Sequence, residues 1–103
     1  VSAAEDFVDV MKMHTNAVFV GSNTAGTSGQ PYLVRLESGG NYRICTCRCI
    51  AQNGEDIYNK GFSPDVRVEI TLSDFMDGRD KAMETAVSIL KEQFENVTAK
   101  FEL

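Results

Sequence analysis

Asn16-Ala17-Val18-Phe19-Val20-Gly21-Ser22-Asn23-Thr24-Ala25-Gly26-Thr27-Ser28-Gly29-Gln30-Pro31 decides how the rest of the chain is read. Ala17–Val20 is a short apolar run, β-branched and aromatic, closed by Gly21, which is the pattern of a buried strand. The residues from Gly21 to Gln30 are Gly, Ser, Thr, Asn, Ala and Gln, with Pro31 closing the run. Such a segment cannot pack a core, and its glycines permit turns that other residues resist. A strand that delivers a glycine-rich loop is one way α/β proteins present backbone N–H groups to a ligand. A plain surface connection fits the same residues equally well. The flanking sequence separates the two.

Upstream, Ser2-Ala3-Ala4-Glu5 precedes Phe7, Val8, Val10 and Met11 at helical spacing. Ser with Glu three residues on is the spacing of a capping box and predicts a helix from about Ala3 to about Met13. Downstream, Tyr32–Glu37 and Tyr42 to about Ile50 flank the turn residues Ser38-Gly39-Gly40-Asn41, giving a β-hairpin. Val66, Val68 and Ile70 alternate with Arg67 and Glu69 as a half-buried strand. Thr71 and Asp74 then open a short helical turn that Gly78 closes. The main C-terminal helix is predicted from about Arg79 to about Gln93, capped by Asp77, with Ala82, Met83, Ala86, Val87, Leu90 and Phe94 as its buried stripe. Val97–Phe101 reads either as an edge strand or as a frayed tail. The order helix, strand, hairpin, strand, helix makes this an α/β chain.

With 103 residues and 43% hydrophobic content, the chain is one folded domain at most. A formal charge of −5, spread along the sequence, argues against nucleic acid and against a basic membrane-binding face. No apolar run reaches membrane-spanning length. The sequence starts at Val1 without a Met, directly on a motif, so a piece of a longer protein is expected. Cys45, Cys47 and Cys49 alternate along one expected strand, where residues i and i+2 lie roughly 6.5–7 Å apart. That is the edge of disulfide geometry, and no second ligand cluster completes a metal site. Free thiols, at least partly buried where the hairpin meets the helices, are the expectation.

Four stretches together resemble the C-terminal part of the catalytic domain of S41 peptidases, the tail-specific or C-terminal-processing proteases. Ser2-Ala3-Ala4-Glu5-Asp6-Phe7 is similar to the family's nucleophile motif, and Gly21 to Pro31 to its glycine loop. Gly61-Phe62-Ser63-Pro64-Asp65-Val66-Arg67-Val68 resembles its Gly-x-x-Pro-Asp-x-x-Val segment. Asp77-Gly78-Arg79-Asp80, with the helix after it, resembles its closing Gly-x-Asp. Any one of these is a weak signal; all four in order are a specific one.

The resemblance implies a ClpP/crotonase-like catalytic core with a mixed sheet, of which residues 1–103 are the C-terminal portion. The upstream half would lie outside this chain. It implies Ser2 as nucleophile, the Ala3 N–H as an oxyanion donor, and Gly26 and Thr27 as residues that line the site and hold the peptide substrate. A Ser at a helix start also sits in the positive end of the helix dipole, which favours such an oxyanion. Family members with a Ser–Lys dyad carry their lysine where Thr27 stands, and no lysine occurs between Lys12 and Lys60. The resemblance is therefore to the tricorn-like, His-dependent members, whose base comes from the upstream half. Their Glu three residues before the Gly of Gly-x-x-Pro-Asp falls on Tyr58, which makes Asp56 the weak candidate for an orienting group. His14, the only histidine, sits roughly 18 Å from Ser2 along a helix and is too far to be the base.

The implied activity is serine-type endopeptidase action on unfolded or C-terminally tagged polypeptides, without cofactor or metal, in the periplasm or cell envelope. The chain alone is expected to be inactive and to self-associate through strand edges and apolar surface. The rival expectation is a non-catalytic peptide-binding relative of the same fold.

Overall fold

The first helix, α1 (Ala3–His14), exists because Phe7, Val8, Val10 and Met11 recur at helical spacing between an acidic first turn and a basic last one. The structure, a computed structural model, describes residues 1–101. Those residues form two compact units: Val1–Ala17 with Asn23–Ser63, and Val18–Ser22 with the chain from Pro64 onward.

The first unit holds α1, the glycine-rich loop and an antiparallel hairpin. Strands β2 (Pro31–Arg35) and β3 (Asn41–Cys45) pair with Pro31 opposite Cys45 and Arg35 opposite Asn41. Their turn is closed by the Leu36 N–H on the Gly40 carbonyl (2.8 Å) and the Gly39 N–H on the Leu36 carbonyl (3.0 Å). The hairpin is shorter than its apolar pattern predicts. Strand β3 ends at Cys45, so Cys47 and Cys49 lie beyond the ladder. All three thiols are free as expected, but Cys45 and Cys47 are exposed and only Cys49 is half-buried. The expected burial fails because every residue of β3 is exposed, leaving no apolar layer for the thiols to enter. Ala51 and Ile57 are the buried apolar residues, set by a turn in which the Ala51 N–H donates to the Glu55 carbonyl. Helix α1 is tied to that turn through Asp9, which accepts from the Gln52 N–H at 3.0 Å.

The second unit pairs its strands in parallel. Strand β1 (Val20–Gly21) lies beside β4 (Val66–Arg67), with Val20 opposite Val66. Strand β1 begins three residues later than the predicted Ala17–Val20, where a side chain replaces a rung of the ladder, and β4 ends at Arg67, short of the predicted Ile70. Asp65 Oδ2 accepts the Phe19 N–H (2.8 Å), and the Asp65 N–H donates back to the Phe19 carbonyl (2.8 Å).

Helix α2 (Leu72–Met76) opens with the predicted Thr71/Asp74 pair as a complete capping box. Helix α3 (Lys81–Phe101) is capped by Asp80 rather than Asp77: its carboxylate accepts from the Met83 N–H at 3.0 Å. It runs through Val97–Phe101, where a strand or tail was expected, since no Gly or Pro after Gly78 breaks it. Ala82, Ala86 and Ile89 are half-buried, while Met83, Val87, Leu90 and Phe94 of the expected buried stripe are exposed. Strand pairing is thus mixed, parallel in one ladder and antiparallel in the other. Among the described residues, no helix is long and apolar enough to cross a membrane.

Candidate active site

Ser2 precedes the first residue of α1 and holds a backbone conformation of φ 57°, ψ −133°. Positive φ brings the Cβ of an L-residue against its own backbone, so non-glycine residues adopt it only where the surroundings impose it. Three hydrogen bonds impose it here. The Ser2 N–H donates to the Thr27 carbonyl at 3.2 Å, and the Ser2 carbonyl accepts from the N–H groups of Glu5 (2.6 Å) and Asp6 (3.3 Å). The expected capping box does not form, because the Ser2 hydroxyl makes no cap hydrogen bond. The hydroxyl is therefore not committed to holding the helix. The Ala3 N–H begins the first turn, where an α-helix has no acceptor of its own to offer it.

The other half of the supposed box points elsewhere. Glu5 is 1% exposed, and its Oε1 accepts from the Thr24 hydroxyl (2.7 Å) and the Gly26 N–H (2.6 Å). Its Oε2 is buried without a hydrogen bond. Burial pushes the Glu5 carboxyl upward, but hydrogen bonds from the Thr24 hydroxyl, the Gly26 N–H and the Ser2 backbone act against it, and the group is held below its ordinary 4.5. Glu5 is thus an ionised carboxylate inside the first unit.

The glycine loop is packed on a second segment as well. Gly26 has φ 67°, and a Cβ there would stand 2.5 Å from the Gly61 nitrogen and the Ile57 carbonyl oxygen. The Gly26 carbonyl accepts from the Asn59 N–H at 2.9 Å, and the Thr24 hydroxyl accepts from the Phe62 N–H at 2.9 Å. So the loop meets the Ser2 segment at two points: the Thr27 carbonyl takes the Ser2 N–H, and the Gly26 N–H donates to the Glu5 side chain.

Asp56 has different company. It pairs with Arg48 and accepts the Tyr58 N–H at 3.0 Å, and the Arg48 hydrogen bond holds its carboxyl below the usual value. His14 lies at the far end of α1 with its Nε2 3.0 Å from Gln52 Oε1. Among the described residues, no group of His, Cys, Asp and Glu is placed to hold a metal ion. Sequence reasoning missed Glu5 and Thr24 as a pair. Thr24 gave no periodic signal, and Glu5 had a local explanation at hand.

The sequence model of Peptidase family S41 matches residues 1–68, which contain all of this geometry. Among solved structures, a Parabacteroides merdae ATCC 43184 protein, whose crystal structure carries a provisional peptidase assignment, is 36% identical. The likeness covers 86% of this chain with a TM-score of 0.71. This chain spans 28% of the length of that relative. No curated protein matches the sequence. The chain belongs to peptidase family S41.

Proposed function

We propose that this chain carries the nucleophile of a serine endopeptidase related to the tricorn-like, His-dependent members of the family. The observation that supports it most is the strained Ser2 backbone at the start of α1, with a hydroxyl that caps nothing. Hydrolases hold a nucleophilic serine on such a turn, where it projects from the backbone and meets N–H groups of the following helix. In the proposed reaction Ser2 Oγ attacks the scissile carbonyl carbon and its proton passes to a histidine outside this chain. The tetrahedral oxyanion is held by the Ala3 N–H, reinforced by the helix dipole. Gly26 and Thr27 line the site and contact the substrate backbone. The intermediate collapses as the scissile C–N bond breaks and the histidine passes its proton to the departing amine; water then hydrolyses the acyl ester on Ser2, and no cofactor is needed.

The proposal takes residues 1–103 as the C-terminal portion of a larger catalytic domain that contributes the base. Polypeptide substrates and an envelope location come from family resemblance. Tyr58, standing where the His-dependent members carry Glu, favours a second reading as a peptide-binding relative without turnover. Cleavage of an unfolded polypeptide by the intact protein separates the two. The proposed function requires cleavage that Ser2→Ala abolishes while the fold persists. Binding of the polypeptide with no cleavage in either form would favour the second reading.

A further inference from the structure

Two four-residue segments face each other in the first unit, Ser2–Glu5 and Thr24–Thr27, and they are joined at both ends. At one end the Ser2 N–H reaches the Thr27 carbonyl. At the other, Glu5 Oε1 takes the Thr24 hydroxyl and the Gly26 N–H. The Glu5 N–H on the Ser2 carbonyl closes the ring along α1.

We propose that Glu5 is a positioning residue, whose buried carboxylate locks the glycine loop so that the loop in turn fixes the strained Ser2 turn. Three observations converge on it. A carboxylate at 1% exposure is unfavourable unless hydrogen-bonded; both hydrogen bonds of Oε1 go to the loop that holds Ser2, and the Ser2 backbone itself helps to lower the pKa of the group. Residues at positive φ persist only where their surroundings over-determine them, and the Thr27 carbonyl is one of the constraints on Ser2. The loop has a fixed shape to transmit, since Gly26 is wedged against the backbone of Ile57, Lys60 and Gly61. Oε2 has no hydrogen bond, so the fastening is made by one oxygen at a set reach.

That Ser2 is the nucleophile rests on the proposed function; the coupling of Glu5 to the Ser2 backbone does not. The test therefore reads both, in the intact protein. Amide hydrogen exchange reports the Ser2 and Gly26 N–H groups, and the rate of Ser2 modification by a fluorophosphonate reports its reactivity.

Glu5→Gln keeps the reach and an acceptor oxygen, with its amide nitrogen taking the place of Oε2. It should keep Ser2 amide protection and labelling within about threefold. Glu5→Asp keeps the charge but is one methylene short. It should lower protection of both amides by about tenfold or more and slow labelling by about 100-fold, while amides of α3 are unaffected. Glu5→Ala should match Glu5→Asp. Unchanged Ser2 protection in Glu5→Asp would overturn the inference, as would loss of protection across all amides at once, which marks a general structural role. If unmodified protein resists the fluorophosphonate while the exchange pattern holds, the peptidase reading falls and the positioning role stands.

Discussion

Gly26→Ala is the substitution that tests most severely how the loop is held. The residue has φ 67°, where an L-side chain is disfavoured by about 1–2 kcal/mol. The added Cβ would lie 2.5 Å from Gly61 N, 2.5 Å from the Ile57 carbonyl oxygen and 2.6 Å from Lys60 N. All three are backbone atoms, so no side chain can swing aside. Overpacking of this kind adds about 1–3 kcal/mol, here toward the upper end. The expected loss is about 4 kcal/mol, against a total stability of about 5–15 kcal/mol for an ordinary domain. Gly39→Ala is the control: φ is 87°, but nothing stands within 4 Å of its Cβ, so only the conformational cost of about 1 kcal/mol remains. Thermal unfolding followed by far-ultraviolet circular dichroism converts these into midpoint losses of about 15–30 °C and about 4–8 °C respectively. Equal shifts for the two variants would refute the argument, because the packing of the loop on residues 57–61 would then contribute nothing.

Four further outcomes follow from other parts of the structure. Ser2→Gly relieves the positive φ and should raise stability by about 1 kcal/mol in a chemical melt, while abolishing fluorophosphonate labelling. Ser2→Ala removes no cap bond and should fall within about 0.5 kcal/mol of the parent. Asp74 is held well below its ordinary 3.8 by the Lys81 ammonium, then by the Thr71 hydroxyl and N–H. Its folded value is depressed, so its stabilising effect is present at neutral pH and fades as pH falls below that ordinary value. Melts from pH 6 to pH 2 should show a shallower decline for Lys81→Met than for the parent. Leu90 (64% exposed) and Phe94 (77%) leave an apolar stripe on α3 uncovered, and the isolated chain should self-associate in sedimentation over a concentration series. Leu90→Glu with Phe94→Glu should reverse that.

Ser2/Glu5 and Thr71/Asp74 share the capping-box spacing, and the structure makes only the second of these two boxes. Thr71 and Asp74 exchange both bonds because nothing else competes for Asp74 except Lys81, which leaves room for the cap. Ser2 and Glu5 have the same spacing, yet Glu5 turns to partners 19 and 21 residues away. A local motif is legible in sequence only while no distant donor outbids it. The strands illustrate the same limit. The apolar run Ala17–Val20 was legible as an element, but its rung at Phe19 is taken by the Asp65 side chain, which no period-2 pattern encodes. The positions of Ser2, Gly26 and Thr27 as neighbours were legible through the four motifs of the family. The conformation of Ser2 and the reach of Glu5 were not, since both depend on hydrogen bonds between segments far apart in the chain.

The central claim is that Ser2 is a nucleophile. Peptide mapping by mass spectrometry after treating the intact protein with a fluorophosphonate tests it most directly. The account predicts a single phosphonyl adduct on Ser2, lost in Ser2→Ala and on denaturation before treatment. An unmodified Ser2, or an adduct on another serine that survives Ser2→Ala, would contradict it.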